Sequence, residues 1–375
     1  MRVGGDWLTR AETQAVFAAL SGQAALAVGG CVRDALLGRP VRDVDIATDA
    51  PPERVIAAAG AAGLRALPTG IDHGTVTVVS GGIPHEVTTF RRDVTTDGRR
   101  AVVAFTTRVD EDAARRDFTM NALYCTALGE VIDPLGGLGD LRAGRVRFVG
   151  DPAARVAEDH LRILRFFRFN AWFGRDLDAD GLAACAAGAD GLGRLSRERV
   201  GAEMRKLLAA PDPASSVAAM AAAGVLARVL PGADPRALAP LVHLEGRAAP
   251  DWLRRLAALG GDDAGAQLRL SRAEARDLAA LRSAALGDEA PAAIGWRLGA
   301  ARGWDGVLVR AALLGQPPAP EAGSEVARGA KAVCPVTAAD LMPALQGAAL
   351  GERLRTIEDR WLASGLRLSR AELLG

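Results

Sequence analysis

The chain has 375 residues, 49% of them apolar and 24% charged, with a formal net charge of +1. This is a globular composition with room for more than one core; it excludes a disordered chain, and no apolar run is long enough to span a bilayer. Near-neutral charge predicts no partner by itself, and Cys31, Cys125, Cys185 and Cys334 form no CxxC pair, so neither a disulfide framework nor a thiolate zinc site is indicated.

The opening stretch MRVGGDWLTRAETQAVFAAL lacks the charged, apolar and small regions of a signal peptide, so a cytoplasmic protein is expected. "ALAV" before Gly29 reads as a short buried strand and "CVRDALLG" as a helix stopped by Gly38. "VDIAT" is a strand, "PPERVIAAAGAAG" a helix opened by proline, and "GTVTVVS" and "IPHEVTTF" are neighbouring strands joined through Gly81-Gly82. "ALYCT" and "VIDP" are shorter strands. After Asp151-Pro152 the period becomes helical, in Ala, Leu and Arg, with prolines as punctuation and "GQPPAPEAGS" as a linker. "RLSRAE" occurs twice, with Ser271 and Glu274, and Ser369 and Glu372, at capping-box spacing; these are helix starts. The expected fold is α+β, a mixed-sheet head over 1–150 and then all-α segments over 151–212, 213–316 and 317–375.

Four groups of residues have spacings that suit chemistry. Gly29-Gly30, between strand and helix, lets backbone approach a phosphate, with Arg33 one turn in; the alternative is a plain tight turn, since neither GxGxxG nor a Walker loop is matched. Asp43 and Asp45 stand two apart on a predicted strand, so both carboxylates face one side and repel unless a cation lies between them. Mg²⁺ favours such a pair completed by phosphate oxygens, and Glu86 on a later strand is a candidate third carboxylate. In "DEDAARRDFTMNAL", Arg115, Arg116, Asp117 and Asn121 precede the strand "ALYCT"; if helical, Asp117 and Asn121 lie one turn apart on one face, which can hydrogen-bond a ribose and its phosphates or belong to a salt-bridged connection.

"EDHLRILRFFRF" has a helical period, with Glu158, Asp159, Arg162 and Arg165 on one side and Ile163, Leu164 and Phe167 on the other. It is either an amphipathic helix with internal ion pairs or a base reader. A carboxylate accepts from the amino group that cytosine and adenine share, and a guanidinium donates to the neighbouring ring nitrogen. Guanine and uracil present a keto oxygen there and leave a group unpaired. Arg142, Arg145, Arg147, Arg155, Arg162, Arg165 and Arg168 form a local basic band, which is either a phosphate-binding surface or a solvated helix face. His73, His85, His160 and His243 are dispersed, without an HD pair or HExxH, so a phosphohydrolase module has no support.

In this order, "GGCVRDALLGRPVRDVDIAT", "HGTVTV", "HEVTTFRRDV", "DGRR", "RRDFTMNAL", "IDPLGGLGDL", "RFVGDP", "EDHLRILRFFRF" and "RLSRERVGAEMRKLL" resemble the class II CCA-adding tRNA nucleotidyltransferase and bacterial poly(A) polymerase family over about residues 24 to 210. The resemblance implies a nucleotidyltransferase-fold head followed by neck, body and tail. It implies Asp43 and Asp45 as Mg²⁺ ligands, with Glu86 less firmly beside them as a third catalytic carboxylate. Gly29, Gly30 and Arg33 are implied as the triphosphate grip, and Arg116, Asp117 and Asn121 as ribose and phosphate contacts. Asp159 and Arg162 are implied as the template that reads C and A, supported by Glu158 and Arg165. The implied reaction is attack of an RNA 3′-OH on the α-phosphate of a nucleotide. The tRNA 3′ end is then the partner and CTP and ATP are substrates, with no membrane and no protein partner implied.

Within the family, "PTGIDHGTVTVV" looks like the CCA-type strand, without the Gly-Arg-Arg-Phe-like stretch of the polymerases. "RRDVTTDGRRAVVAFTTRVDED", which contains Asp97, Gly98 and Arg99, keeps the loop that CC-only enzymes have shortened. Full CCA addition is therefore expected, with partial CCA or poly(A) addition as the alternative. A non-catalytic RNA-binding relative is expected to have lost DxD or RRD, and both are present.

Overall fold

Among the described residues nine strands carry the α/β part: β1 (Ala25–Val28), β2 (Asp45–Thr48), β3 (Arg65–Gly70), β4 (Thr75–Ser80), β5 (Ile83–Thr89), β6 (Arg91–Asp97), β7 (Arg100–Phe105), β8 (Tyr124–Cys125) and β9 (Val131–Ile132). The computed structural model describes residues 1–97 and 100–375, with side chains for 1–92 and 104–375. Gly98 and Arg99, and the side chain of Asp97, lie outside the described residues. The chain forms two units, Met1–Leu195 and Ser196–Gly375.

Seven strands make one sheet in the order β3-β4-β5-β2-β1-β8-β9. β2 and β5 run parallel and the other neighbours antiparallel, the expected mixed sheet. Three strands were not foreseen as such. β3 contains Pro68, which an edge strand tolerates because one side of its backbone needs no ladder partner. β6 and β7, read as loop, pair with each other as a separate two-stranded sheet.

One face of the large sheet buries Leu26, Val28, Ala47, Phe90 and Tyr124 with Ala113, Ala122 and Val149. Ile46, Val76, Val78 and Val87 are also buried, and the helices Ala11–Ala19 and Pro52–Ala61 pack on the sheet. Beyond it, Phe118, Phe148, Phe166 and Phe169 form an aromatic cluster with ring centroids 4.9 Å (118–148), 5.1 Å (118–169) and 5.6 Å (148–166) apart. This cluster packs the Leu161–Phe173 helix into the first unit.

The "EDHLRILRFFRF" stretch is not one helix. One helix ends at Glu158, Asp159 is extended (φ −151°, ψ 106°), and the next begins at Leu161. The side chain of Asp159 accepts from the Leu161 amide at 3.0 Å, so a local side-chain bond competes with the helical one.

The second unit is helical. Both "RLSRAE" echoes are reciprocal capping boxes, Ser271 with Glu274 and Ser369 with Glu372. Its interior holds an ionic cluster of Arg254, Arg255, Glu245 and Asp305. Among the described residues no helix is long and apolar enough to cross a membrane.

Candidate active site

β2 begins at Asp45, so Asp43 precedes the strand instead of lying on it. The alternation continues all the same: Asp43 and Asp45 are exposed, while Val44 and Ile46 are buried. The alternation of exposure, and the charge of Asp43 acting on Asp45, agree with the shared orientation expected of the two carboxylates although Asp43 lies outside the ladder. The parallel register sets Asp45 opposite Glu86, itself exposed between buried His85 and Val87. Paired residues of neighbouring strands point to the same face, so the two acids are side by side.

This crowding has an electrostatic signature. Desolvation first, then the charge of Glu86, and less strongly that of Asp43, push the Asp45 carboxyl up to about 6, against the pull of Arg116. Like charges held together in this way fit a divalent cation. Among the described residues, however, no group of three or more His, Cys, Asp and Glu is set to hold a metal unaided. The donor set matches an ion that keeps oxygen positions for a substrate, as Mg²⁺ does, and does not match a closed protein cage.

Gly29 turns the chain from β1 into the Gly30–Leu36 helix at φ +74°, where a side chain would be strained. Its amide donates to the Leu123 carbonyl, and a Cβ placed on it would stand 3.5 Å from Arg116 Nη1. Arg116 donates to Asp112 at 2.9 Å and to the Tyr124 hydroxyl at 3.0 Å, and Tyr124 in turn donates to Asp112 at 2.8 Å. Burial alone would raise the Asp112 carboxyl; Arg116 and Arg115 hold it below the usual range. Asp112, Arg115 and Tyr124 were missed as site residues. The i,i+4 spacing of Asp112 and Arg116 was a readable signal, but the role of Tyr124 was hidden in an apolar strand.

Asp117 and Asn121 are not on one helix, because the Val109–Ala114 helix stops short of them and Thr119–Asn121 is a single 3₁₀ turn. They meet nonetheless, Asn121 Nδ2 donating to Asp117 Oδ1 at 3.0 Å. Arg165 Nε reaches Asp117 Oδ2 at 2.7 Å from the neighbouring helix. Arg33 Nη1 donates to Asn121 Oδ1 at 2.7 Å, and its Nε and Nη2 go to Asp34 at 3.0 and 2.9 Å. The guanidinium of Arg33 also lies over the rings of Phe169 and Phe173, at 5.2 and 4.2 Å from their centroids. Arg33 is thus buried, with its nitrogens engaged.

At the helix break, Glu158 pairs with Arg155 and Arg162. Arg162 Nη1 donates to the Arg155 carbonyl at 2.8 Å, and Arg155 donates to the carbonyls of Arg115 and Arg116. Glu158 and Arg162 are therefore tied through Arg155 to the segment that carries Arg116 and Asp117. Arg155, noticed only as part of the basic band, makes this link together with Arg162, whose Nη2 also donates to the Arg115 carbonyl at 3.4 Å.

The first unit's site thus unites a carboxylate end, a glycine turn and an arginine-rich helix break. Residues 25–147 match the poly A polymerase head domain, and residues 176–236 match the probable RNA and SrmB-binding site of polymerase A. A CCA-adding enzyme of Geobacillus thermodenitrificans is 41% identical over 239 residues, 63% of this chain and 55% of its own. One from Streptococcus pyogenes serotype M2 is 45% identical over 204 residues, 54% of this chain and 50% of its own. The chain spans about half the length of the curated relatives it matches. A crystal structure of the Bacillus stearothermophilus CCA-adding enzyme in complex with CTP is 32% identical, with a TM-score of 0.75, covering 94% of this chain and 92% of that one. With a solved relative of that identity matched over nearly its whole length, and the head domain recognised independently, the chain belongs to the family of CCA-adding enzymes and poly(A) polymerase heads.

Proposed function

We propose that this protein adds C, C and A to the 3′ end of tRNA from CTP and ATP, without a nucleic-acid template, in the cytoplasm. The observation that carries the reading is the pairing of Asp45, at the start of β2, with Glu86 in the middle of β5, with Asp43 exposed just before β2. Likeness to a CCA-adding enzyme solved with CTP supports the choice of substrate. In this reading 1–150 is the head, 151–212 the neck, 213–316 the body and 317–375 the tail.

Asp43 and Asp45 would hold Mg²⁺ together with substrate phosphate oxygens, with Glu86 as the neighbouring third acid. Bound there, the ion supplies Lewis-acid stabilisation of charge at the α-phosphate and a more acidic 3′-hydroxyl. Gly29 and Gly30 offer backbone to the triphosphate, where a side chain would obstruct close approach. Arg116, fixed by Asp112 and Tyr124, directs positive charge toward the same end of the sheet. Asp117 and Asn121 orient the ribose. Asp159 accepts from the amino group of C or A and Arg162 donates to the adjacent ring nitrogen, with Glu158 and Arg165 holding the reader in place. Catalysis is then chiefly positioning and charge stabilisation.

The test is incubation of the chain and Mg²⁺ with tRNA lacking its 3′ end, with CTP alone, ATP alone and both. CCA is expected only with both. Termination at CC, at a single A, or extension to poly(A) replaces this reading with the corresponding activity. Asp43→Ala should remove transfer while tRNA binding persists; transfer that survives it refutes the metal assignment.

A further inference from the structure

The glycine turn is flanked by two guanidinium groups. A Cβ on Gly29 would stand 3.5 Å from Arg116 Nη1, and one on Gly30 would stand 3.8 Å from Arg33 Nη2. Each missing side chain thus leaves space beside a cationic nitrogen. Arg116 is held from its other side. Its Nε donates to the Tyr124 hydroxyl at 3.0 Å and its Nη2 to Asp112 Oδ2 at 2.9 Å, while Tyr124 donates to that same oxygen at 2.8 Å. The phenol both accepts and donates, which closes a ring of three bonds that phenylalanine cannot close. Asp112 is anchored in turn, its Oδ1 accepting from Arg115 Nε at 2.9 Å. With Nε and Nη2 tied, Nη1 is the corner of the guanidinium that faces Gly29, and among the described residues it donates to no group. The antiparallel pairing of β1 with β8 sets Tyr124 opposite Val28, the residue before the turn.

We infer that Tyr124 is a positioning residue for the transfer reaction: its hydroxyl, together with Asp112, locks two edges of Arg116 so that Nη1 is aimed at the glycine turn, where it meets the phosphates of the incoming nucleotide. The inference rests on the reading of Arg116 as a phosphate contact and adds the residue that aims it. Asp112 alone does not suffice, because one bond at Nη2 leaves the guanidinium free to swing about that bond. The second bond, at Nε, fixes its plane. Tyr124 touches the nucleotide only through Arg116, so its effect belongs to the phosphates and not to the base or the ribose.

The experiment titrates CTP, tripolyphosphate and cytidine into the full chain with Mg²⁺, for wild type, Tyr124→Phe, Arg116→Met and the double variant. Loss of one orienting hydrogen bond predicts that Tyr124→Phe weakens CTP and tripolyphosphate by the same factor, about fivefold, and leaves cytidine within about twofold. In the Arg116→Met background Tyr124→Phe should add no further loss. A merely structural tyrosine gives another pattern: cytidine weakens as much as CTP, or the loss persists in the Arg116→Met background. Either result overturns the inference, as does CTP binding that Tyr124→Phe leaves unchanged. If Arg116→Met fails to fold, the contrast between tripolyphosphate and cytidine in Tyr124→Phe decides alone. If Tyr124→Phe fails to fold, labelling replaces it, because Tyr124 is the one tyrosine of the chain. Incorporated 3-fluorotyrosine then gives a single ¹⁹F resonance, which should move when tripolyphosphate binds and stay in place with cytidine. A resonance that moves as much with cytidine, or is unmoved by tripolyphosphate, sinks the proposal. A wild-type chain that incorporates CTP, with an affinity for it indifferent to Tyr124→Phe, leaves the transfer reading standing without the inference. A wild-type chain that incorporates no CTP refutes the transfer reading itself.

Discussion

Replacing Asp117 by Asn tests how strongly the Asp117–Arg165 ion pair couples the head segment to the arginine-rich helix. Asp117, only 10% exposed, accepts from the Phe118 amide at 2.9 Å, from Asn121 at 3.0 Å and from Arg165 Nε at 2.7 Å, with a second contact to Arg165 Nη2. Asparagine keeps the size but only one acceptor oxygen. Its NH₂ must then face either Asn121 Nδ2 or Arg165, a donor against a donor. Losing the charge-assisted contacts to Arg165 should cost about 3 kcal/mol, at the low end of what breaking a buried pair costs. That is a factor of about one hundred in the local opening equilibrium. Hydrogen exchange of the amides in 117–125 should accelerate correspondingly. In a double-mutant cycle with Arg165→Met the coupling should be about 2–3 kcal/mol. Burial alone would raise the Asp117 carboxyl, but Arg165, Asn121 and the Phe118 amide hold it below the ordinary carboxylate range. A depressed carboxyl contributes stability above its unfolded pKa near 3.9 and loses it only as pH falls through the lower folded value. The cycle should therefore give the same coupling at pH 7 and at pH 5. Additivity within about 0.5 kcal/mol refutes the account.

Three further outcomes are expected. Because the Asp45 carboxyl is raised to about 6, a proton competes with the cation below that value. Mg²⁺ affinity measured by calorimetry on the substrate-free chain should then fall up to about tenfold per pH unit below 6, and a flat profile between pH 5 and 7 contradicts the site. In the second unit, Arg255 donates to Glu245 and to the carbonyls of Leu208, Ala210 and Pro211, so Arg255→Met should destabilise the unit by about 3–5 kcal/mol in urea unfolding; a loss under about 1 kcal/mol contradicts this. A Cβ on Gly191 would stand 1.8 Å from His160 Cδ2, so Gly191→Ala must shift His160 beside Asp159 and should reduce discrimination of C and A from G and U, with Mg²⁺ affinity unchanged as the control.

The sheet was legible because strand periodicity and glycine turns are local. β1, β2, β4 and β5 were read close to their observed limits, and both capping boxes were read to the residue. β3 was hidden by Pro68, a residue that excludes a central strand but not an edge one. The convergence of Asp45 and Glu86 was legible as two acids on strands, but not as register partners, since register is set by packing between strands. Tyr124 and Arg155 were illegible as site residues for a related reason. Their work is done on Asp112 and on the Arg115 and Arg116 carbonyls, which meet them only after folding.

The break at Asp159 shows where periodicity misleads. Glu158, Arg162 and Arg165 have helical spacing, and an unbroken helix would place Asp159 on their face. The folded chain instead ends one helix at Glu158 and starts another at Leu161. Nothing in the local sequence demands this; there is no proline or glycine between them. His160, however, sits against Gly191, where any side chain would occupy the space of its ring. The long-range contact and the Asp159-to-Leu161 side-chain bond together fit an interrupted backbone better than a continuous one. The consequence is functional. A residue on a regular helix has its direction set by the helix axis, whereas Asp159, extended between two helices, is aimed by the pieces on either side. Glu158 and Arg162 fix those pieces to each other, and Arg155 ties them to the segment of Arg116 and Asp117. The proposed reader would then be held in register with the proposed ribose and phosphate contacts, so base selection and nucleotide positioning should fail together when Arg155 is replaced by Met, as separate measurements of C and A against G and U discrimination and of CTP affinity would show.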